Sequence, residues 1–452
     1  MNSAPIEAQD VVLRETVAPL RGFRAVVGSV WSKSAILFLQ AGTGVLTART
    51  LGAKGRGELA AMILWPLFVA SVTTLGVPSA LIYHLRNHSD NRQCLTATGL
   101  FMAGIMGVAA AAVAAVALPW WLHRYSPALI HAAQLFLLTV PLCSVTLAGR
   151  AVLEASDDFA ASNAIQLLTP LATLLGLLFF MVIHRMNPLS AAVAYIAASI
   201  PSCGVMLLRV IRAGFRLVRP QLAAGKQILQ YGVRSYGIDI LGTLALQVDQ
   251  VLVVSLLSAG AMGSYVVVLS LSRMLNVFQN SVVMVLFPKA AGRDAGEVLA
   301  MTGRCVRISG MVTIVCGALI CAVGHVLLRE VYGAEYAPAA GALRILVLET
   351  VLSGTTFVLA QPFMALNRPG VITLLQGLGL SLSVPMMLWL IPRYGIYGAA
   401  ISLLTSTTAR LIFVCVGFRV FLKTAPPRLL PGSTDVLSLM SACAHLARER
   451  AA

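Results

Sequence analysis

Polar and apolar positions along this chain separate into long blocks instead of alternating. Twelve apolar runs stand out, at roughly 27–52, 57–83, 95–121, 127–150, 159–183, 188–212, 231–258, 260–287, 304–328, 338–365, 369–391 and 394–420. They approach or exceed the roughly 20 residues a helix needs to cross about 30 Å of hydrocarbon. Backbone in lipid must satisfy its own hydrogen bonds, and the strands of a membrane barrel would alternate, so the runs read as helices. The pattern predicts an all-α polytopic membrane protein with about 12 transmembrane helices.

Connections between the runs are short. The longest, FRLVRPQLAAGKQILQY near 213–230, is basic and partly amphipathic and divides the chain almost in half. An interfacial helix is expected there. The reading is therefore an N-terminal segment 1–26, a first lobe 27–212 (spans 1–6), a basic linker 213–230, a second lobe 231–420 (spans 7–12) and a tail 421–452. The tail opens with TAPPRLLPGS, and a short amphipathic helix is expected beyond it. The first 24 residues are polar and the next apolar run is too long for a signal peptide, so no cleaved leader is expected.

Composition supports the membrane reading. The chain is 58% hydrophobic and only 11% charged, against about 25% charged in soluble domains. Its net charge of +16 invites a nucleic-acid reading, but the basic residues sit in loops, where membrane orientation requires them. With both termini placed inside, 23 Lys and Arg fall in inside segments and eight outside, so both termini are expected in the cytoplasm. Trp120, Trp121 and Trp389 fall at outer helix ends and fit an interfacial belt, whereas Trp65 is expected to be packed. The eight cysteines are scattered without a CxxC pair, which predicts neither a disulfide framework nor a metal cluster.

An internal echo accompanies the twelve runs. LGAKGRGELA at 51–60 aligns without gaps to LSAGAMGSYV at 257–266, an offset of 206, with Gly57 on Gly263. Each segment follows the first span of a six-span half, and both glycines are expected to serve a tight helix–helix turn that needs φ freedom. A weaker echo sets VLEASDDFA (152–160) against the region of FMALNRPGV (363–371). Two six-helix halves in the same order imply parallel repeats about a central cavity, a common transporter plan.

The chain resembles the polysaccharide (O-antigen-type) flippases of the multidrug/oligosaccharidyl-lipid/polysaccharide exporter superfamily. The likeness rests on ARTLGAKGRGELA (48–60), DQVLVVSLLSAGAMGSYVV (249–267), LFPKA (286–290), YGIYGAAIS (394–402) and the plan of twelve spans with a basic central loop. It implies outward flipping of undecaprenyl-pyrophosphate-linked sugar units across a bacterial inner membrane, by alternating access between two six-helix lobes. It also implies contact with other polysaccharide-assembly proteins. No cofactor is implied, and coupling to H+ or Na+ is left open. The alternative on the same fold is a cation-coupled drug exporter; span 1 lacks the acid common in that group.

Charges inside spans are the natural candidates for transport. Asp249 and Arg273 fall at similar depth on a hairpin turning near Gly260, so they either pair structurally or serve coupling and pyrophosphate binding. Glu349 and Arg410 are also deep, and either line the cavity or pair with each other. Lys33 and Gln40 share a face of span 1; Lys33 either snorkels to the cytoplasmic interface or meets pyrophosphate at the cavity mouth. Asp239 is expected to be solvated near the inner end of span 7, while Arg49 and Arg150 read as interfacial. Lys54 and Arg56 break the orientation bias and are expected to meet outer-leaflet headgroups. Neither the acidic Ser156-Asp157-Asp158 cluster nor the pair His84 and His88 carries enough partners for catalysis or metal. With no GxSxG, HExxH or GK[ST], no enzyme is expected.

Overall fold

The computed structural model describes residues 6–87, 91–216, 218–290, 294–366 and 368–429, with side chains from Ser32 onward apart from 238, 369 and a few positions near 284–295. The tail helix expected after TAPPRLLPGS, and His88, lie outside these residues. Every regular element described is helical. The first half comprises α1 (Ile6–Val72), α2 (Val77–Asn87), α3 (Arg92–Trp121), α4 (Pro127–Phe136), α5 (Val140–Ala155), α6 (Phe159–Val182), α7 (Pro188–Ala197) and α8 (Ser199–Arg212). The second comprises α9 (Leu222–Leu256), α10 (Ala259–Arg273), α11 (Asn276–Ala290), α12 (Ala295–Leu327), α13 (Ala340–Ala365), α14 (Pro369–Tyr394) and α15 (Ile396–Phe421). Local sequence explains the turns. Ser126, Asp158, Asn187 and Ser258 cap the helices that follow them, with Pro127 and Pro188 at first helical positions.

Ten described helices are long and apolar enough to cross a membrane, or eleven with the α10–α11 pair, which bends by 42°. Twelve runs give this smaller number for a physical reason. Residues 32–72 form one continuous stretch interrupted at Gly52, whose φ of 68° and ψ of 177° are not helical. The chain folds back there. Leu37 and Leu67, Gln40 and Leu64, and Gly44 and Ala60 are equidistant from Gly52, and all six line a single cavity. A straight helix would hold Leu37 and Leu67 about 45 Å apart. The linker region also differs in form from a separate interfacial helix. Its helix starts at Leu222 and continues unbroken to Leu256, while Ala224 and Ile228 are buried in the first half's core.

The buried apolar residues form three clusters whose placement defines the shape. The largest draws on the turns that follow odd-numbered runs in both halves, with Ala48, Leu118, Leu177, Val254, Tyr336 and Ile391 among its members. At the opposite end, where the termini lie, the core divides. One cluster holds Leu81, Leu95, Leu153 and Met206 of the first half, and another holds Leu286, Val306, Phe363 and Phe418 of the second. The halves are thus welded at the turn end, while at the terminal end their interiors are separate except where the start of α9 packs into the first. A narrower contact joins α2 to α9 at that end: Tyr236 donates to the Val72 carbonyl, Ser79 donates to Asp239 at 2.9 Å, and Tyr83 stacks on Tyr231. Trp65 is fully buried and stacks on Trp121 at 4.6 Å, whereas Trp120 and Trp389 are exposed.

Neither Gly57 nor Gly263 sits in a turn, which corrects the sequence expectation. Both are helical, and the left-handed residue is Gly52. They are where α1 and α10 cross backbone to backbone. A Cβ on Gly57 would strike the Ala259 carbonyl and lie 2.9 Å from the Gly263 nitrogen; a Cβ on Gly263 would strike the Ala53 carbonyl and lie 2.9 Å from the Gly57 nitrogen. Absence of a side chain is what these positions require. Gly57→Val is expected to cost about 1–3 kcal/mol or more by overpacking. Gly260→Ala, with nothing within 4 Å of the added atom, should be neutral or mildly stabilising. Thermal unfolding of both purified variants in detergent checks this contrast.

Candidate functional site

A cavity of about 530 Å³ lies between the halves, beneath the turn-end weld. Both arms of α1 line it, through Leu37, Gln40 and Gly44 before Gly52 and through Arg56, Ala60 and Leu64 after it. Leu246, Gln247 and Gln250 of α9 face them, joined by Leu269, Ser270 and Arg273 of α10. Tyr332 closes one corner. It belongs to a π-helical turn, Leu328–Tyr332, at the end of α12, an irregularity that re-aims side chains at many functional sites.

The polar chemistry of this lining is one-sided. Arg56 and Arg273 supply two guanidinium groups, and no Asp or Glu lines the cavity among the described residues. Gln40, Gln247 and Gln250 supply three amides with no hydrogen bond to another described residue. A free primary amide both donates and accepts, which suits sugar hydroxyls. A guanidinium offers a planar donor fork that suits phosphate and carboxylate.

Asp249 and Arg273 do pair. Arg273 Nη2 donates to Asp249 Oδ2 at 3.0 Å, Nη1 donates to the Leu246 carbonyl at 3.1 Å, and Tyr265 Oη donates to the same Oδ2 at 2.8 Å. Asp249 is only 1% exposed while the Arg273 side chain keeps 31%. The acid is therefore consumed behind the cavity wall, and the arginine presents its remaining edge to the cavity. Glu349 and Arg410 form a different network, bridged by a hydroxyl: Thr407 donates to Glu349 Oε1 at 2.7 Å and accepts from Arg410 Nη2 at 2.9 Å. Arg410 lies over Gly379. Neither Glu349 nor Arg410 is among the cavity-lining residues, and neither is Lys33, which is exposed on α1.

Arg56 is the residue that sequence reasoning misplaced. It is 8% exposed and lines the cavity instead of reaching headgroups, while Lys54 is exposed. The available signal was its breach of the charge bias. Other charges have structural partners. Arg49 Nε donates to the Val331 carbonyl at 2.7 Å, tying the first half's hairpin tip to the second half's π turn. Arg150 joins Glu154 and Ser162. Asp158 caps α6 and Asp157 pairs with Arg86.

A family profile described as polysaccharide biosynthesis protein matches residues 46–341. The search of curated proteins gives no match. Among solved structures, the lipid II flippase MurJ in an inward closed conformation aligns with a TM-score of 0.75 at 13% identity, over 89% of this chain and 88% of that one. An inward-facing multidrug resistance MATE family transporter of the MOP superfamily aligns at 0.68 and 13% identity, over 86% and 94%. A MOP superfamily transporter from Pyrococcus furiosus aligns at 0.62 and 14% identity, over 88% and 95%. These likenesses show a MOP-type fold.

The ion pair yields a stability test. Asp249→Asn leaves Arg273 without its counter-charge, and a broken buried pair costs about 3–5 kcal/mol, reduced here because the arginine is part exposed. Asp249→Leu with Arg273→Met should recover most of that loss. A double-mutant cycle on thermal midpoints checks the coupling.

Proposed function

Because this chain belongs to the polysaccharide biosynthesis protein family, we propose that it is a flippase. It moves undecaprenyl-pyrophosphate-linked oligosaccharide units from the inner to the outer leaflet of a bacterial inner membrane. The observation that carries this reading is the cavity lining, with two guanidinium groups, three free amides and, among the described residues, no acid. That is the complement of an anionic saccharide. MurJ, the first fold relative above, is named a lipid II flippase, and a lipid-linked substrate is carried over on that likeness.

In this mechanism the chain crosses the bilayer twelve times. The count treats the two arms of α1 as separate spans and α10–α11 as one. Two six-helix lobes related by a repeat are supported by the Gly57–Gly263 crossing. Its contacts to Ala259 and Ala53 exchange under the same offset of 206 that relates the sequences. Both termini lie in the cytoplasm, in keeping with the Lys and Arg bias. The conformation is then sealed outside and divided inside. The saccharide enters from the cytoplasmic end, its pyrophosphate pairs with Arg273, and the polyprenyl tail stays in lipid. Breaking the turn-end weld while closing the terminal end releases it outward. Lys33 meets incoming pyrophosphate at the mouth, and the Glu349–Thr407–Arg410 network stiffens the second lobe.

The cation-exporter alternative is not favoured. It needs an acid free to meet an organic cation, and Asp249 is committed to Arg273 and Tyr265. The proposal requires no cofactor; drive by an H+ or Na+ gradient is a companion expectation, read by imposing each gradient on vesicles.

Arg273→Lys keeps a charge for Asp249 but loses the planar fork. Vesicles with this variant are expected to flip a polyprenyl-pyrophosphate disaccharide at least about tenfold more slowly than wild type at equal protein content. Flipping at the wild-type rate would remove Arg273 from the pathway.

A further inference from the structure

Arg56 is the least explained charge among the described residues. It is 8% exposed, lines the cavity, and neither Nε nor Nη1 has a hydrogen-bond partner. Its electrostatic neighbours are the phenols of Tyr332 and Tyr336; the carboxylate of Glu335, which lies against Gly52 and acts on the same Tyr336, is exposed and makes no salt bridge to Arg56. Glu58, two residues further on, acts on Tyr125 instead. A buried guanidinium that no salt bridge neutralises is costly to the fold, and a charge kept inside a span is a candidate ligand site.

The backbone positions that carry Arg56 and Arg273 lie well apart along the cavity. Arg56 adjoins Gly57, which meets Gly263 directly. Ten residues of α10 then separate Gly263 from Arg273, about 15 Å of helix. The heads are also turned to different surroundings. Arg273 is drawn back onto α9 by Leu246 and Asp249, while Arg56 sits with the tyrosines of the turn end. A pyrophosphate held at Arg273 therefore leaves Arg56 unsatisfied, at the sealed end toward which the far sugars of the cargo point.

We propose that Arg56 is the receptor for a second anionic group on the cargo, the carboxylate of an acidic sugar, and that the cavity selects glycans that carry one. This rests on the flippase reading above and deepens it. The carboxylate would accept two parallel N–H bonds from the guanidinium, and Tyr332, on the same wall, offers its hydroxyl. The three amides take the neutral hydroxyls between the two charged stations.

The test compares two synthetic ligands, a polyprenyl-pyrophosphate disaccharide ending in glucose and the same molecule ending in glucuronic acid, on the full chain in nanodiscs. Wild type is expected to bind the glucuronyl ligand at least about tenfold more tightly. Arg56→Gln and Arg56→Met are expected to erase that gap by weakening the glucuronyl ligand at least about tenfold more than the glucosyl one. Arg56→Lys, which keeps the charge, is expected to retain part of the gap. Arg56→Met should also hold or raise the thermal midpoint, since it removes an uncompensated buried charge. Equal weakening of both ligands in Arg56→Met would overturn the inference by assigning Arg56 to pyrophosphate, while the flippase reading would stand. Equal binding of the two ligands by wild type would also overturn it, and this comparison needs no variant to fold. Failure of wild type to bind either ligand would instead overturn the flippase reading.

Discussion

The structure depends on one close approach, where α1 and α10 cross at Gly57 and Gly263. There the two halves touch backbone to backbone, which only two glycines allow. That contact fixes the height of both hairpin tips and brings Ala48 and Tyr336 into a shared core. It also places Arg56 inside a wall instead of at a membrane surface. The neighbouring bonds, Arg49 to the Val331 carbonyl and Tyr336 to the Ala48 carbonyl, are polar and few. The weld joins one tight backbone crossing to the largest apolar cluster with few hydrogen bonds, so it seals against leakage while little of it is held by directional bonds. Transport by rocking needs both properties, because a packed interface switches between discrete arrangements and does not stretch.

Electrostatics divides labour across the same interface. The two deep acids of the second half are answered from within that half, Asp249 by Arg273 and Tyr265, Glu349 by Thr407 with Arg410 behind it. What remains facing the cavity is positive or neutral. With Arg273 paired to Asp249, Arg56 is the lining cation without an ion pair, and its field in a low-dielectric space favours anions over cations. This follows from where the acids are spent, since the span sequences contain both signs.

Much of the fold was legible because bilayer thickness acts on sequence directly. Runs of the right length mark helices, and ten described helices, or eleven with the α10–α11 pair, are long and apolar enough to span. Where sequence and structure diverge, tertiary geometry made the decision. Gly52, Gly55 and Gly57 stand within six residues, and nothing local says which one turns the chain and which admits a neighbour. Arg56 reads as interfacial by position, but a helix that starts at a tight turn carries its first residues straight into the lobe interface. The Asp249–Arg273 pair was readable from equal depth on one hairpin. The Glu349–Arg410 link was only half readable, because the bridging Thr407 has no signature in a run of Ser and Thr.

The central claim is that the welded end and the divided end exchange roles during transport. Double electron–electron resonance in a cysteine-free background measures it directly. One spin pair at positions 54 and 329 spans the turn end, and a second at 157 and 368 spans the terminal end; all four residues are exposed. In vesicles turning over lipid-linked saccharide, the account predicts a new population in which the first distance lengthens while the second shortens. Distances that stay fixed at both ends, or that lengthen together, would contradict it.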